Sequence, residues 1–207
     1  MKKTITLVAA LFIGLAGAGK AKADTTCNGV VSNGGSSLFG NLIQNCGFET
    51  GDFTGWSGTA TTDNPVFTGV DSFASYEGQY EAYIAPLGAT DTLSQTVATI
   101  AGFTYTIQFA LMNDTTPTTD TNSFLATFGG TTLLSQTKTP ADAYTLYTYH
   151  VVGTGAPETL TFTARNDPGF FTLDSVSVST TPEPSSFILL GTGVAGLAGA
   201  ARRRFKR

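Results

Sequence analysis

The sequence predicts an all-β protein, an antiparallel β-sandwich set between two terminal segments of different character. Three observations carry this. First, apolar and polar residues alternate: Phe103, Tyr105, Ile107, Phe109 and Leu111 are separated by Thr104, Thr106, Gln108 and Ala110. That period of two marks a strand with one buried face. Second, turn residues recur between such runs, as at Gly129-Gly130 and Asn166-Asp167-Pro168-Gly169. Third, no stretch between residues 41 and 180 carries the apolar stripe of an amphipathic helix. Many short strands with regular turns pack as two antiparallel sheets.

In chain order, residues 1–23 read as a secretory signal peptide. Met1-Lys2-Lys3 is a basic start, 5–19 is apolar, and Ala21-Lys22-Ala23 fits the small-x-small cleavage pattern. Lys20 and Lys22 lie unusually near the cut and leave its position open. Residues 24–40, rich in Gly, Ser and Asn, read as a lead-in segment. The sandwich is expected over 41–180, with strands at 79–85, 91–97, 103–111, 122–128, 143–152, 159–164 and 170–178. DTTPTTDTN at 114–122 is polar and irregular and reads as a long loop or hairpin tip. Residues 181–186 read as a stiff linker, because each proline biases its predecessor away from helix.

Charge divides the chain the same way. Of 11 Lys and Arg, four lie in the signal and five in the last six residues, which leaves Lys138 and Arg165 between. Residues 24–181 hold 14 Asp and Glu against those two cations, a net of 2 − 14 = −12. Such a domain repels phosphate backbones, so nucleic acid is excluded as a partner. Two cysteines, Cys27 and Cys46, in an exported chain suggest one disulfide. It would close a loop of about 20 residues, worth ~3 kcal/mol in the chain-entropy account. Two cysteines and one histidine are too few for a structural zinc site.

After Pro184, Ser185 and Ser186 come 15 uncharged residues, 187–201, and then a basic stretch at 202–207 led by Arg202, Arg203 and Arg204. As a helix the apolar run is ~23 Å long, a little short for a ~30 Å hydrocarbon core. Flanking side chains can snorkel to close that gap. The arginines belong on the cytoplasmic side, which leaves the domain outside. Gly191, Gly193 and Gly196 spell G-x-G-x-x-G. A dinucleotide loop needs a strand before it, a full helix after it and an acidic residue about 20 positions on. Only 11 residues follow Gly196, and they end on arginine, so the motif is read as chance within a Gly- and Ala-rich helix.

Pro182-Glu183-Pro184, a short Gly-rich apolar helix and an arginine cluster, in that order, resemble the PEP-CTERM sorting signal of exported bacterial proteins. The resemblance implies delivery by the Sec translocon, transient residence in the membrane through the C-terminal helix, and processing by an exosortase. It also implies a diderm bacterium with exopolysaccharide machinery, and a destination at the cell surface or in the extracellular matrix.

The folded part opens on NLIQNCGFETGDFTGW at 41–56 and closes on LDSVSV at 173–178. The two stretches resemble the first and last strands of galactose-binding-like jelly-roll domains, the architecture of many carbohydrate-binding modules. Cys46 stands where such a motif has glycine, and Ser175 where it has a second aspartate. The resemblance implies that the first and last strands meet. It also implies a structural Ca²⁺ held by Glu49 and Asp174, with Asp52 a further candidate. Calcium takes six to eight oxygen ligands, so acidic side chains with main-chain carbonyls suit it. The alternative is that Glu49 caps main-chain amides and Asp174 is a satisfied strand-end carboxylate.

Trp56 is expected in the core, since a lone Trp is usually well buried. Tyr76, Tyr80 and Tyr83 are candidates for a surface platform, but on one strand Tyr80 and Tyr83 face opposite ways. His150, the only histidine, shares parity with Tyr144, Leu146, Thr148 and Val152 and reads as structural. No nucleophile elbow or zinc-protease motif is present. Glu49 and Asp174 at a domain edge would make a poor cleft for glycoside hydrolysis. The expected protein is therefore not an enzyme. It is an exported surface or matrix protein with a domain that binds polysaccharide. The alternatives are a structural biofilm or envelope component with no defined sugar ligand and, third, a small extracellular hydrolase.

Overall fold

A computed structural model describes residues 40–63, 67–86, 88–114 and 122–180. The expected signal peptide, Cys27 and the lead-in as far as residue 39 lie outside these residues, as does most of the 114–122 segment. So does everything past residue 180: Pro182, Glu183, Pro184, the expected membrane helix and Arg202, Arg203 and Arg204. No helix among the described residues is long and apolar enough to cross a membrane.

The described chain is all-β. It forms strands β1 (Thr68–Asp71), β2 (Glu81–Ile84), β3 (Asp91–Ala98), β4 (Thr104–Asn113), β5 (Ser123–Phe128), β6 (Thr131–Thr137), β7 (Asp142–Val152), β8 (Pro157–Arg165) and β9 (Phe171–Thr180), with one 3-10 turn at Thr59–Thr61. They make two antiparallel sheets, one ordered β1-β2-β9-β4-β7 and the other β3-β8-β5-β6. Every strand legible in the sequence is present. β1 and β6 are additional, and composition conceals both. β1 is four residues long and contains Gly69 and Asp71. β6, TTLLSQT, is an edge strand with no fully buried residue.

The two-residue period decides what each sheet presents. From β4, Tyr105, Ile107, Phe109 and Leu111 point inward and are buried. They meet Phe124 and Phe128 of β5 and Leu160 and Phe162 of β8 across the sandwich. Phe109 and Phe162 touch edge to face at 5.1 Å, and Phe124 and Phe171 lie 5.3 Å apart. Such aromatic pairs add ~0.5–1.5 kcal/mol each beyond their buried area. Trp56 belongs to this core as expected. It is 7% exposed, stacks on Phe48 at 5.5 Å and donates its indole N–H to the Asn45 carbonyl at 3.1 Å.

The opening and closing segments meet, as the resemblance implied. The Leu42 amide donates to the Val178 carbonyl at 2.8 Å, and the Val176 amide to the Cys46 carbonyl at 2.9 Å. Asn41 bridges the same pair of chains: its Nδ2 donates to the Val176 carbonyl and its Oδ1 accepts from the Val178 amide, both at 2.9 Å. Cys46 is fully buried and disulfide-bonded. Cys27, its expected partner, lies outside the described residues. β9 is thereby central, buried from Phe171 through Val178. Its pairing with β4 shifts register between Gln108 and Ala110, and beside that shift Ser175 adopts φ 51°. A bulge of this kind re-aims the neighbouring side chains.

Candidate ligand-binding site

The three expected cation ligands divide into a pair and an outlier. Asp174 is fully buried on β9. Its Oδ2 accepts from the main-chain amides of Tyr76 and Glu77 at 2.8 and 2.9 Å, and its Oδ1 from the Ser175 amide at 2.5 Å. The exposed carboxylate of Glu49 does the same a few residues along, with Oε1 accepting from the Gln79 and Tyr80 amides at 2.8 and 3.0 Å. The two carboxylates therefore grip one segment, residues 76–80. Gly78 makes this approach feasible. It has φ 67°, and a Cβ there would lie 2.1 Å from Glu49 Oε1. Asp52 stands apart on the surface. Its Oδ1 accepts from Thr50 Oγ1 at 2.7 Å and the Thr54 amide at 2.9 Å. Those two threonines hold its carboxyl below the usual range. Among the described residues no three Asp, Glu, His or Cys side chains come together.

The gripped segment leads into a second feature that sequence reasoning missed. Register fixes which side chains share the outer face of the five-stranded sheet. Gly69 and Asp71 of β1 stand opposite Tyr83 and Glu81 of β2. Tyr83 is opposite Thr172 of β9, and Thr172 is opposite Met112 of β4. Here the sheet bears a cavity of about 290 Å³ lined by Asp71, Glu81, Tyr83, Phe170 and Thr172, among others, with Phe73 beside it. Phe73 is 93% exposed. Phe170 and Tyr83 pack edge to face at 5.8 Å as one wall. Phe170 is set by its amide, which donates to Asp114 Oδ1 at 2.5 Å. Gly69 leaves room for the Tyr83 ring, since a Cβ there would meet Tyr83 Oη at 2.5 Å.

Side chains pair with one another across the polar floor of this cavity. Glu81 has no exposed surface; its Oε1 accepts from the Ala74 amide, and its carboxyl hydrogen-bonds that of Asp71. Thr172, 6% exposed, hydrogen-bonds the Tyr144 hydroxyl on the neighbouring part of the face. Burial, with Asp71 directly opposite and Asp174 nearby, pushes the Glu81 carboxyl up to about 7. Burial foremost, and the same carboxylates, also raise the Tyr144 phenol.

The tyrosine candidates sort by parity. Tyr80 packs against the core, whereas Tyr83 lines the cavity. Tyr76 contacts Tyr144 at 5.4 Å and closes the gripped segment over β7. His150 lies exposed on the same outer face, its Nδ1 3.2 Å from Thr106 Oγ1. The signal for Glu81 was present in the sequence, an acidic residue inside the apolar run YEAYIA at the parity of Tyr83. Without β1, however, nothing placed Asp71 opposite it.

Comparison with known proteins bears on the C-terminal segment and on the fold of the sandwich. Residues 180–204 match the family model for the PEP-CTERM protein-sorting motif. The protein is accordingly exported and sorted to the cell envelope or surface of a Gram-negative bacterium. No curated protein matches the chain in sequence. Among solved structures, the K3 cleaved adhesin domain of Lys-gingipain from Porphyromonas gingivalis W83 is similar, at TM-score 0.50 and 15% identity, over 66% of this chain and 96% of that one. The enzymatically active domain of tailspike protein 4 from bacteriophage CBA120 gives TM-score 0.50 and 14% identity over 68% of this chain, but only 21% of the tailspike. Both likenesses concern the fold. The C-terminal family 22 carbohydrate-binding module of Clostridium thermocellum Xyn10B aligns at TM-score 0.48 and 11% identity over 69% of this chain and 96% of the module.

The raised Glu81 carboxyl has a consequence for stability. Its ordinary value is 4.5 and its folded value about 7, so between these the folded state holds a proton that the unfolded state has released. Stability contributed by this group therefore falls as pH rises from about 4.5 to 7 and is constant above. Glu81→Gln removes the titration while keeping an acceptor for the Ala74 amide. Thermal melts across this range should show the wild type losing stability relative to the variant as pH rises.

Proposed function

We propose that the sandwich binds extracellular polysaccharide without cleaving it, on the outer face of the five-stranded sheet. The observation that carries this is the cavity itself. It has an aromatic wall of Tyr83 and Phe170, an almost fully exposed Phe73, and polar side chains, Asp71 foremost, at its edge. Sugars present apolar C–H faces and a rim of hydroxyls, so they suit aromatic walls with polar groups between them. A volume of about 290 Å³ lies near the lower end for small-molecule sites, ~300–1,000 Å³, which suits one or two sugar units of a longer chain. The reading as a non-enzyme is supported by Glu49 and Asp174. In the acid pair considered for hydrolysis, both Asp174 oxygens and Oε1 of Glu49 accept main-chain amides.

Delivery follows from the sorting motif. We propose export by the Sec translocon under a cleaved signal peptide, a stop in the membrane at 187–201, and removal of the tail by an exosortase. The structural Ca²⁺ at Glu49, Asp174 and Asp52 is also a proposal. Its support is that Glu49 and Asp174 grip one segment whose carbonyls, with water, would complete an oxygen shell. Asp52, turned onto Thr50 and Thr54, would have to reorient.

Each part has its measurement. The full-length chain on a glycan array should retain polysaccharide fragments and release no reducing ends from them. Phe73→Ala should weaken that binding about tenfold, the loss typical of an aromatic anchor, and leave Tm unchanged because the ring is solvent-exposed. Chelation by EDTA should lower Tm by about 5 °C or more, and Ca²⁺ should restore it. An unchanged Tm would leave Glu49 and Asp174 as amide caps alone. Replacing Pro182, Glu183 and Pro184 by Ala should trap the uncleaved precursor in the membrane fraction, visible as a heavier band on an immunoblot.

A further inference from the structure

Two of the cavity's aromatic side chains are fixed by packing, but the third is not. Tyr83 belongs to β2, and Phe170 packs edge to face against it at 5.8 Å. Phe73 sits on the loop between β1 and β2 and is 93% exposed. With so little of the ring covered, its place is set by the main chain that carries it. That main chain is held by carboxylates. Asp71 Oδ1 accepts from the Phe73 amide at 3.1 Å, and Glu81 Oε1 accepts from the next amide, that of Ala74. Further along, Asp174 takes the amides of Tyr76 and Glu77, and Glu49 those of Gln79 and Tyr80. Asp71 and Glu81 are also the two feet of the loop, since Asp71 ends β1 and Glu81 opens β2. They are direct cross-strand partners, and their carboxyls hydrogen-bond each other. Each foot thus reaches back to one of two consecutive amides, at the ring-bearing residue and its successor.

We propose that Asp71 and Glu81 are positioning residues of the polysaccharide site: they fix the turn at residues 71–74 so that Phe73 stands beside the cavity as its outer aromatic face, and they act on the sugar through that ring alone. This rests on the polysaccharide-binding reading above and deepens it. An aspartate that accepts the amide two residues on closes a local turn and pins the loop that follows. Glu81 has no exposed surface, so it reaches a sugar only through the turn it holds. Its burial also makes it a rigid anchor for the Ala74 amide. Phe73 and Ala74 both line the cavity, opposite a wall that is set by the sheet. The pose of the turn therefore decides how wide the cavity of about 290 Å³ stands open. A ring already held in its bound place spares the ordering cost that a free loop would meet on binding. Contact residues need such a supporting set of hydrogen bonds to keep a productive geometry.

The test is a double-substitution cycle on the full-length chain, read by isothermal titration with the polysaccharide fragments that the wild type retains. Asp71→Ala should weaken binding about fivefold or more, most of the loss expected for Phe73→Ala. The two substitutions together should bind no more weakly than Phe73→Ala alone, because without the ring there is nothing left to position. Asp71→Asn keeps an oxygen for the Phe73 amide and should bind within about twofold of the wild type. In the free protein, hydrogen exchange at the Phe73 amide should be slow in the wild type and in Asp71→Asn, and fast in Asp71→Ala. Asp71 is exposed, so its variants keep the sheet. An Asp71→Ala variant that binds as the wild type does, or whose Phe73 amide stays protected, overturns the positioning role and leaves the polysaccharide reading standing. Losses that add in the double variant assign Asp71 a contact of its own with the sugar and overturn it as well. So does an Asp71→Asn variant as weak as Asp71→Ala, which assigns the effect to charge. A wild type that binds no polysaccharide overturns both readings.

Discussion

The grip of Asp174 on the segment above it is the constraint on which the outer surface depends. A buried carboxylate without partners costs several kcal/mol, and this one is met by three main-chain amides, from Tyr76, Glu77 and Ser175. The bulge in β9 aims the side chain at them. Glu49 takes the next two amides and Gly78 lets the chain pass between. Because β2 begins at Glu81, directly after this segment, the clamp also decides where Glu81 enters the sheet. The Ala74 amide and the Tyr76 ring then fall over Glu81 and Tyr144. One carboxylate on the last strand thus links the closing of the domain to the shaping of its cavity.

The two faces of each strand have separate duties, and alternation is what separates them. Inward positions of β4 carry Tyr105, Ile107, Phe109 and Leu111 into a dense aromatic core. Its outward positions carry Thr106, Gln108, Ala110 and Met112. They face Ser179, Ser177, Asp174 and Thr172 on one side, and on the other Thr106, Gln108 and Ala110 face His150, Thr148 and Leu146. Hydrophobic burial, at roughly 25 cal/mol per Å², is concentrated on the inner face. Outer positions contribute less to stability and are freer to specialise. Glu81 is one of several outer residues that are nonetheless buried, with Ala110, Thr172 and Asp174, and the segment through Ala74 is laid over it.

This division explains what was legible in the sequence. Inner-face alternation is a strong signal, so the strands of β4, β5, β7, β8 and β9 and the core position of Trp56 were readable residue by residue. The meeting of first and last segments followed from motifs at both ends. β1 was not readable because four residues containing glycine and aspartate are made a strand by pairing with β2 rather than by propensity. β6 was concealed because an edge strand with one half-buried face needs little apolar character. The acidic pair in the cavity depends on that unseen register, so Glu81 looked like a stray charge in an apolar run. Glu49 and Asp174 were singled out as calcium ligands, with amide capping as the alternative, and in the structure both accept main-chain amides. Their common partner, the 76–80 segment, could be known only from the folded chain.

The charge distribution joins the terminal motif to the domain. A chain with 14 acidic and two basic residues between 24 and 181 would gain little from binding anionic polymers or lipid headgroups. Its five terminal cations lie within and beyond the sorting motif at 180–204, past the last described strand. Positive charge is thus concentrated in the segment that carries the sorting motif and is nearly absent from the sandwich. Keeping the cations on a segment separate in sequence from the sandwich lets each part follow its own electrostatics. Arg165 lies 3.6 Å from Asp167 and joins the end of β8 to the turn before β9. It lies outside the cavity, where the Glu81 carboxyl instead pairs with that of Asp71.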